Sequence, residues 1–109
     1  MRNVWVLGLI VVGSAFASSL AVEFGGETSQ IDSYAEAGKT WAQSDALASA
    51  IGVRTDAAPT GGKLTFRLGK RISYAAPITL RGKQPYAVAL EVARNLGYTA
   101  TLEIGRAHV

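Results

Sequence analysis

The chain has 109 residues, no cysteine, one histidine and a formal net charge of +3. That length allows one compact unit or two very small ones, and the missing thiols exclude a disulfide framework, a thiolate metal site and a lipid-modified cysteine. Without Arg2 and Arg106 the net charge falls to about +1, so the basic balance is not the dense footprint a nucleic-acid binder needs.

The N-terminus comes first in chain order. Arg2 supplies a positive charge, Val4 to Val12 is an apolar run broken only by Gly8, and Ala15-Phe16-Ala17 is a small-x-small cleavage site. Residues 1–17 therefore read as a secretory signal peptide cut after Ala17. The rival reading is a signal anchor, because no charge intervenes between Arg2 and Glu23. Gly13-Ser14 and Ser18-Ser19 dilute the far half of that stretch and favour cleavage. The expected location is extracytoplasmic: secreted, periplasmic or cell-surface.

Beyond the export segment the chain carries an internal repeat. Val22-Glu-Phe-Gly-Gly, Gly38-Lys-Thr-Trp, Leu47-Ala48 and Ile51-Gly-Val-Arg-Thr answer to Phe66-Arg-Leu-Gly-Lys, Gly82-Lys-Gln-Pro-Tyr, Val92-Ala93 and Leu96-Gly-Tyr-Thr-Ala. The offset is about 44 residues at the first landmarks and about 45 at the last, so one residue has been inserted between them. Each copy is too small to bury an apolar face alone.

In the first copy, residues 18–58, Leu20, Val22 and Phe24 alternate with Ala21 and Glu23 as in a half-buried strand. Gly25-Gly26 is a turn. Glu27 to Ala37 has only Ile31 and Tyr34 as large apolar anchors and is expected to be a loop with at most one weak strand. Lys39-Thr-Trp-Ala is a short strand entering a helix, with Ser44 as its N-cap, Asp45 in the first turn and Gly52 as its left-handed stop. Leu47, Ala48 and Ile51 share one face of that helix.

The second copy, residues 59–103, opens after Pro59 and Gly61-Gly62. Leu64, Phe66 and Leu68 alternate with Thr65 and Arg67. Gly69-Lys70 is a hairpin turn into Arg71-Ile-Ser-Tyr, and Pro77-Ile-Thr-Leu is a further short strand. A helix over Tyr86–Leu96, with Pro85 in its first turn, is stopped by Gly97, and Tyr98-Thr-Ala-Thr-Leu returns as a strand. Glu103 to Val109 reads as a foreign tail, with 104–109 set apart from the domain. The natural protein is then expected to continue beyond about Leu102, and His108 carries no functional weight. The expected fold class is α+β: two short β-β-α-β type repeats, each with a helix packed on a small antiparallel sheet.

The chemistry of an active site is not visible. Asp32 and Glu36 stand four apart in a non-helical context and read as surface. No metal site can be assembled without Cys and with a discounted His, and the same lack removes a Ser–His–acid triad. Gly25-Gly26 and Gly61-Gly62 lack the G-x-x-x-x-G-K context of a phosphate loop. The basic cluster Lys63, Arg67, Lys70 and Arg71 reads as solvated surface. We therefore expect no catalytic residues, no cofactor and no metal, hence no enzyme. Trp41 and Tyr86, at equivalent places in the two copies, are the possible ligand or partner surface. Their competing reading is matched core or rim packing, because repeats copy core positions first.

Two segments carry a family resemblance: Gly38-Lys39-Thr40-Trp41 with Leu47-Ala48-Ser49-Ala50-Ile51-Gly52, and Gly82 to Tyr86 with Val92-Ala93-Arg94-Asn95-Leu96-Gly97. Together they resemble the copper amine oxidase-like N-terminal domain, or stalk domain, of bacterial exported proteins. Ala42-Gln43 and Ala87-Val88 stand where that family usually has a Val-Pro pair. The resemblance implies a non-catalytic module without copper chemistry, forming the N-terminal part of a longer cell-envelope protein. Its partners would be other domains of that chain or cell-wall and envelope components. Nucleic acid is not expected, and membrane contact only through the signal segment. As an alternative, Ile78 to Tyr98 is similar to the secretin and TonB short N-terminal domain, a periplasmic module of an outer-membrane channel.

Overall fold

The computed structural model describes residues 6–13 and 18–105. The proposed cleavage site, Arg2 and His108 lie outside them. Among the described residues, nine strands and two helices run in the order β1 (Val6–Gly13), β2 (Ser18–Phe24), β3 (Glu27–Glu36), β4 (Lys39–Gln43), α1 (Ser44–Ile51), β5 (Arg54–Thr55), β6 (Lys63–Leu68), β7 (Ile72–Arg81), β8 (Gln84–Val88), α2 (Ala89–Asn95) and β9 (Thr99–Gly105). The strands lie in the sheet as β5-β6-β7-β8-β4-β3-β2-β1-β9. Every neighbouring pair is antiparallel except β1 and β9, which are parallel.

This corrects the expected fold class. The chain does not build two β-β-α-β repeats with a small sheet each. The sheet is continuous because β4 pairs with β8, Trp41 opposite Val88, Ala42 opposite Ala87 and Gln43 opposite Tyr86. Both helices feed one core. Leu20, Val22 and Ile31 from one side of that junction meet Leu64, Phe66 and Ala76 from the other, around Leu47, Ala48, Ile51, Val92, Ala93 and Leu96. Each sheet half alone would leave one helix face wet, so the shared core is the more favourable way to bury both.

The sequence repeat survives as register within this one sheet. Ala42 and Ala87 are 45 positions apart and face each other, with Trp41 and Tyr86 placed symmetrically about them. Tyr34 pairs with Trp41 as Thr79 pairs with Tyr86, again 45 apart. Leu20 pairs with Ile31 as Leu64 pairs with Ala76, so the offset grows from 44 to 45 between the two strands of the hairpin. The inserted residue therefore lies in the turn: Gly25-Gly26 joins β2 to β3, whereas Gly69-Lys70-Arg71 joins β6 to β7.

Four local expectations also change. Glu27–Glu36 is a ten-residue strand rather than a loop. It lacks strong apolar alternation because its first part pairs with β2 and its last part with β4, while only Ile31 and Ser33 point into the core. Likewise Arg71–Tyr74 and Pro77–Leu80 are not separate pieces: Ile72 to Arg81 is one strand, β7. Pro77 faces Lys63 at the last β6 pair, and the β8 ladder begins at Ile78, so the missing N–H falls at the handover between partners.

The second helix starts at Ala89, not near Pro85, because Gln84–Val88 is held as a strand between β7 and β4. At α1 the cap is Gln43, whose Oε1 accepts from Ala46 N at 2.9 Å. Ser44 is instead the first helical residue and is buried. Gly52 ends α1 in the left-handed conformation at φ 73°, as expected of a residue without Cβ.

Candidate functional site

Alternation along a strand decides which face each side chain takes. In β3, β4, β7 and β8 the residues facing the helices include Ser33, Ala42, Ala76 and Ala87, all buried. The opposite, helix-free face receives Tyr34, Trp41, Thr79, Arg81 and Tyr86. The two residues singled out from the sequence, Trp41 and Tyr86, are thus brought together on the open face of the sheet junction. Both are half-buried.

Tyr34 links them. Its ring stacks parallel to Trp41 at a centroid distance of 6.2 Å and an interplanar angle of 5°, and meets Tyr86 at 5.3 Å and 58°. The Tyr34 and Thr79 hydroxyls share a hydrogen bond. The Arg81 guanidinium lies over the Tyr34 ring, 4.1 Å from its centroid, in a cation–π arrangement. A groove of about 410 Å³ opens beside this cluster, lined by Tyr34, Ala35, Glu36, Thr79, Leu80 and Arg81. Leu80 lines the groove and is 64% exposed, but it alternates with Thr79 and Arg81 and so belongs to the face of Ala76 and Ile78. Next to the aromatics, Gln43 donates through Nε2 to Gln84 Oε1 at 3.1 Å, tying β4 to β8.

Sequence reasoning missed Tyr34, Leu80 and Arg81. Tyr34 falls in a run that reads as a loop, and a loop residue has no defined face. The one available signal is its position: 45 residues before Thr79, in register with Trp41.

The arrangement offers flat apolar rings, one cation and an acidic rim at Glu36. It suits adhesion to a ligand with both apolar faces and polar groups. It holds no nucleophile–base pair. Asp32 and Glu36 are both exposed on the same face of β3, and four strand residues separate them by about 13 Å. Among the described residues no three His, Cys, Asp or Glu side chains come together as a metal-binding group. In the basic cluster, Arg67 is engaged by Asp56, with Nε–Oδ1 at 3.0 Å and Nη2–Oδ2 at 3.4 Å. That carboxylate raises the Arg67 pKa further, first through the hydrogen bond and then through its charge. Lys39 on β4 pairs with Glu91 on α2 at 3.0 Å. No helix among the described residues is long and apolar enough to cross a membrane.

No protein-family model, curated protein or solved structure matches this chain.

Proposed function

We propose that the chain is a non-catalytic interaction module of an exported protein, the stalk-like part of a longer cell-envelope chain. Its recognition surface is the open face of the sheet junction. The observation that supports this reading most is the convergence of Tyr34, Trp41 and Tyr86 from three strands, with Arg81 laid over Tyr34. A packing role alone does not call for an arginine on the outer ring. Aromatic rings with an adjacent cation are the side chains that dominate binding energy at interfaces. Envelope polymers present the complementary chemistry: sugar C–H faces for the rings and carboxylates for the guanidinium.

Sedimentation of the protein with purified insoluble cell-wall sacculi tests this. Arg81→Ala leaves the core untouched and should weaken retention by about tenfold, which corresponds to about 1.4 kcal/mol. Retention that is absent in the parent, or equal in the parent and the Arg81→Ala variant, would refute the proposed face. A neighbouring domain encoded with this one separates this reading from a channel module: an envelope amidase, peptidase or surface domain favours the former, a secretin barrel or TonB-dependent receptor the latter.

A further inference from the structure

The two ends of the sheet do not match. At one end β5 pairs directly with β6, Arg54 opposite Arg67 and Thr55 opposite Phe66. The 45-residue equivalents of Arg54 and Thr55 are Thr99 and Ala100 in β9. The 44-residue equivalents of Arg67 and Phe66 are Glu23 and Val22 in β2. Symmetry therefore asks for β9 beside β2. Instead β1, a strand from the export segment with no counterpart in the second half, stands between them, antiparallel to β2 and parallel to β9.

We propose that β1 is a placeholder: once the chain is cut after Ala17, β9 closes directly onto β2 as an antiparallel neighbour, with Glu23 opposite Thr99 and Val22 opposite Ala100. The sheet order becomes β5-β6-β7-β8-β4-β3-β2-β9. The exchange rests on the export reading for its occurrence in the cell, but not for its geometry.

Four observations carry it. Direction is already right, because a strand parallel to β1 is antiparallel to β2. Facing is right, because Val22 and Ala100 are both buried while Glu23 and Thr99 are both exposed. The root of β9 is already in place without help from β1. Tyr98 Oη donates to Ile51 O at 2.8 Å, and Arg94 Nη2 donates to Ala100 O at 3.3 Å. Lastly, the proposed register continues to Phe24 opposite Tyr98, and these two rings already touch edge-to-face at 5.4 Å across the end of β1. The driving force is the row of unpaired backbone groups that the loss of β1 would expose on both β2 and β9.

The register can be read by cross-linking, since the chain has no native cysteine. In the intact chain β1 relays Glu23 through Gly8 to Thr101, two strand spacings away, about 10 Å and beyond disulfide reach. The variant Glu23→Cys/Thr99→Cys should form an intramolecular disulfide in the chain cut after residue 17 and none in the intact chain. Glu23→Cys/Thr101→Cys should form one in neither. Mass spectrometry of exported protein shows whether the cell makes the cut. If it does not, the export reading alone fails, and a site-specific protease sequence replacing residues 14–17 supplies the cut chain. Far-UV circular dichroism confirms that each form is folded. A folded cut chain with no Glu23–Thr99 bridge, with a Glu23–Thr101 bridge, or with only intermolecular bridges overturns the strand exchange.

Discussion

The hydroxyl of Tyr98 donates a 2.8 Å hydrogen bond to the backbone carbonyl of Ile51, the last residue of α1. It ties the end of the first helix to the entry of the last strand, 47 positions away. The Ile51 carbonyl is among those a helix leaves without an intrahelical partner. Both residues are buried, with Ile51 fully so and Tyr98 7% exposed. Tyr98→Phe keeps the packing and leaves that carbonyl unsatisfied, so urea unfolding should show a loss of about 1–3 kcal/mol.

The same tyrosine sets an alkaline limit. Burial raises its pKa above the usual value, and Tyr74 is raised by burial first and by the Glu91 charge second. The neutral phenol is the form the fold favours. Above the unfolded-state pKa of about 10 the unfolded chain therefore holds fewer protons than the folded one. Stability should be level with respect to these groups below about pH 10 and fall as pH rises through the folded-state values. Urea midpoints measured from about pH 8 to about pH 11, spanning that unfolded-state value, check the slope, and Tyr98→Phe should make it shallower.

Phe66 and Leu96 are fully or almost fully buried, at 0% and 1% exposure, and belong to the core shared by both halves. Phe66→Ala or Leu96→Ala should each cost about 2–5 kcal/mol. Total stability for a chain this short is about 5–10 kcal/mol, so each variant should lose a large fraction of it and melt well below the parent. Lys70→Ala, in the exposed β6–β7 turn, should cost no more than about 0.5 kcal/mol in the same melts.

The β3–β4 turn offers a gain. Ala37 and Gly38 sit at φ 53° and 74°, left-handed at both central positions of a two-residue hairpin. Alanine is strained there, and Asn-Gly is the preferred pair for such a turn. Ala37→Asn should stabilise the protein by about 0.5–1 kcal/mol in thermal unfolding, with no change in spectra. A loss of stability would show that the turn does not hold this geometry in solution.

Helix capping can be tested on the same scale. Gln43 uses its Oε1 to accept from Ala46 N and its Nε2 to reach Gln84. Gln43→Ala removes both and should cost about 1–2 kcal/mol by urea unfolding. Ser44→Ala should cost less, because Ser44 Oγ is buried without a hydrogen-bond partner in the protein. The reverse order would restore Ser44 as the cap.

Local order in the chain was legible wherever the physics is local. Leu47, Ala48 and Ile51 at helical spacing, closed by Gly52, define α1 with the observed bounds. Alternation over Leu20 to Phe24 and Leu64 to Leu68 marks β2 and β6 and the faces they bury. The 44- and 45-residue offsets were also present in the sequence, one residue of drift included. What the residues could not state is which strand stands beside which. Alternation assigns a side chain to a face but names no neighbour, because the ladder is made by backbone groups common to all residues. Only the pairing of Trp41, Ala42 and Gln43 with Val88, Ala87 and Tyr86 turned two expected small sheets into one. That pairing also held Tyr86 to Val88 as strand against their helical setting, and the ladders to β2 and β4 made a strand of the polar run from Glu27 to Glu36. It assembled Tyr34, Trp41 and Tyr86 into a single aromatic face, because side chains that belong to separate strands meet only where the sheet places those strands together.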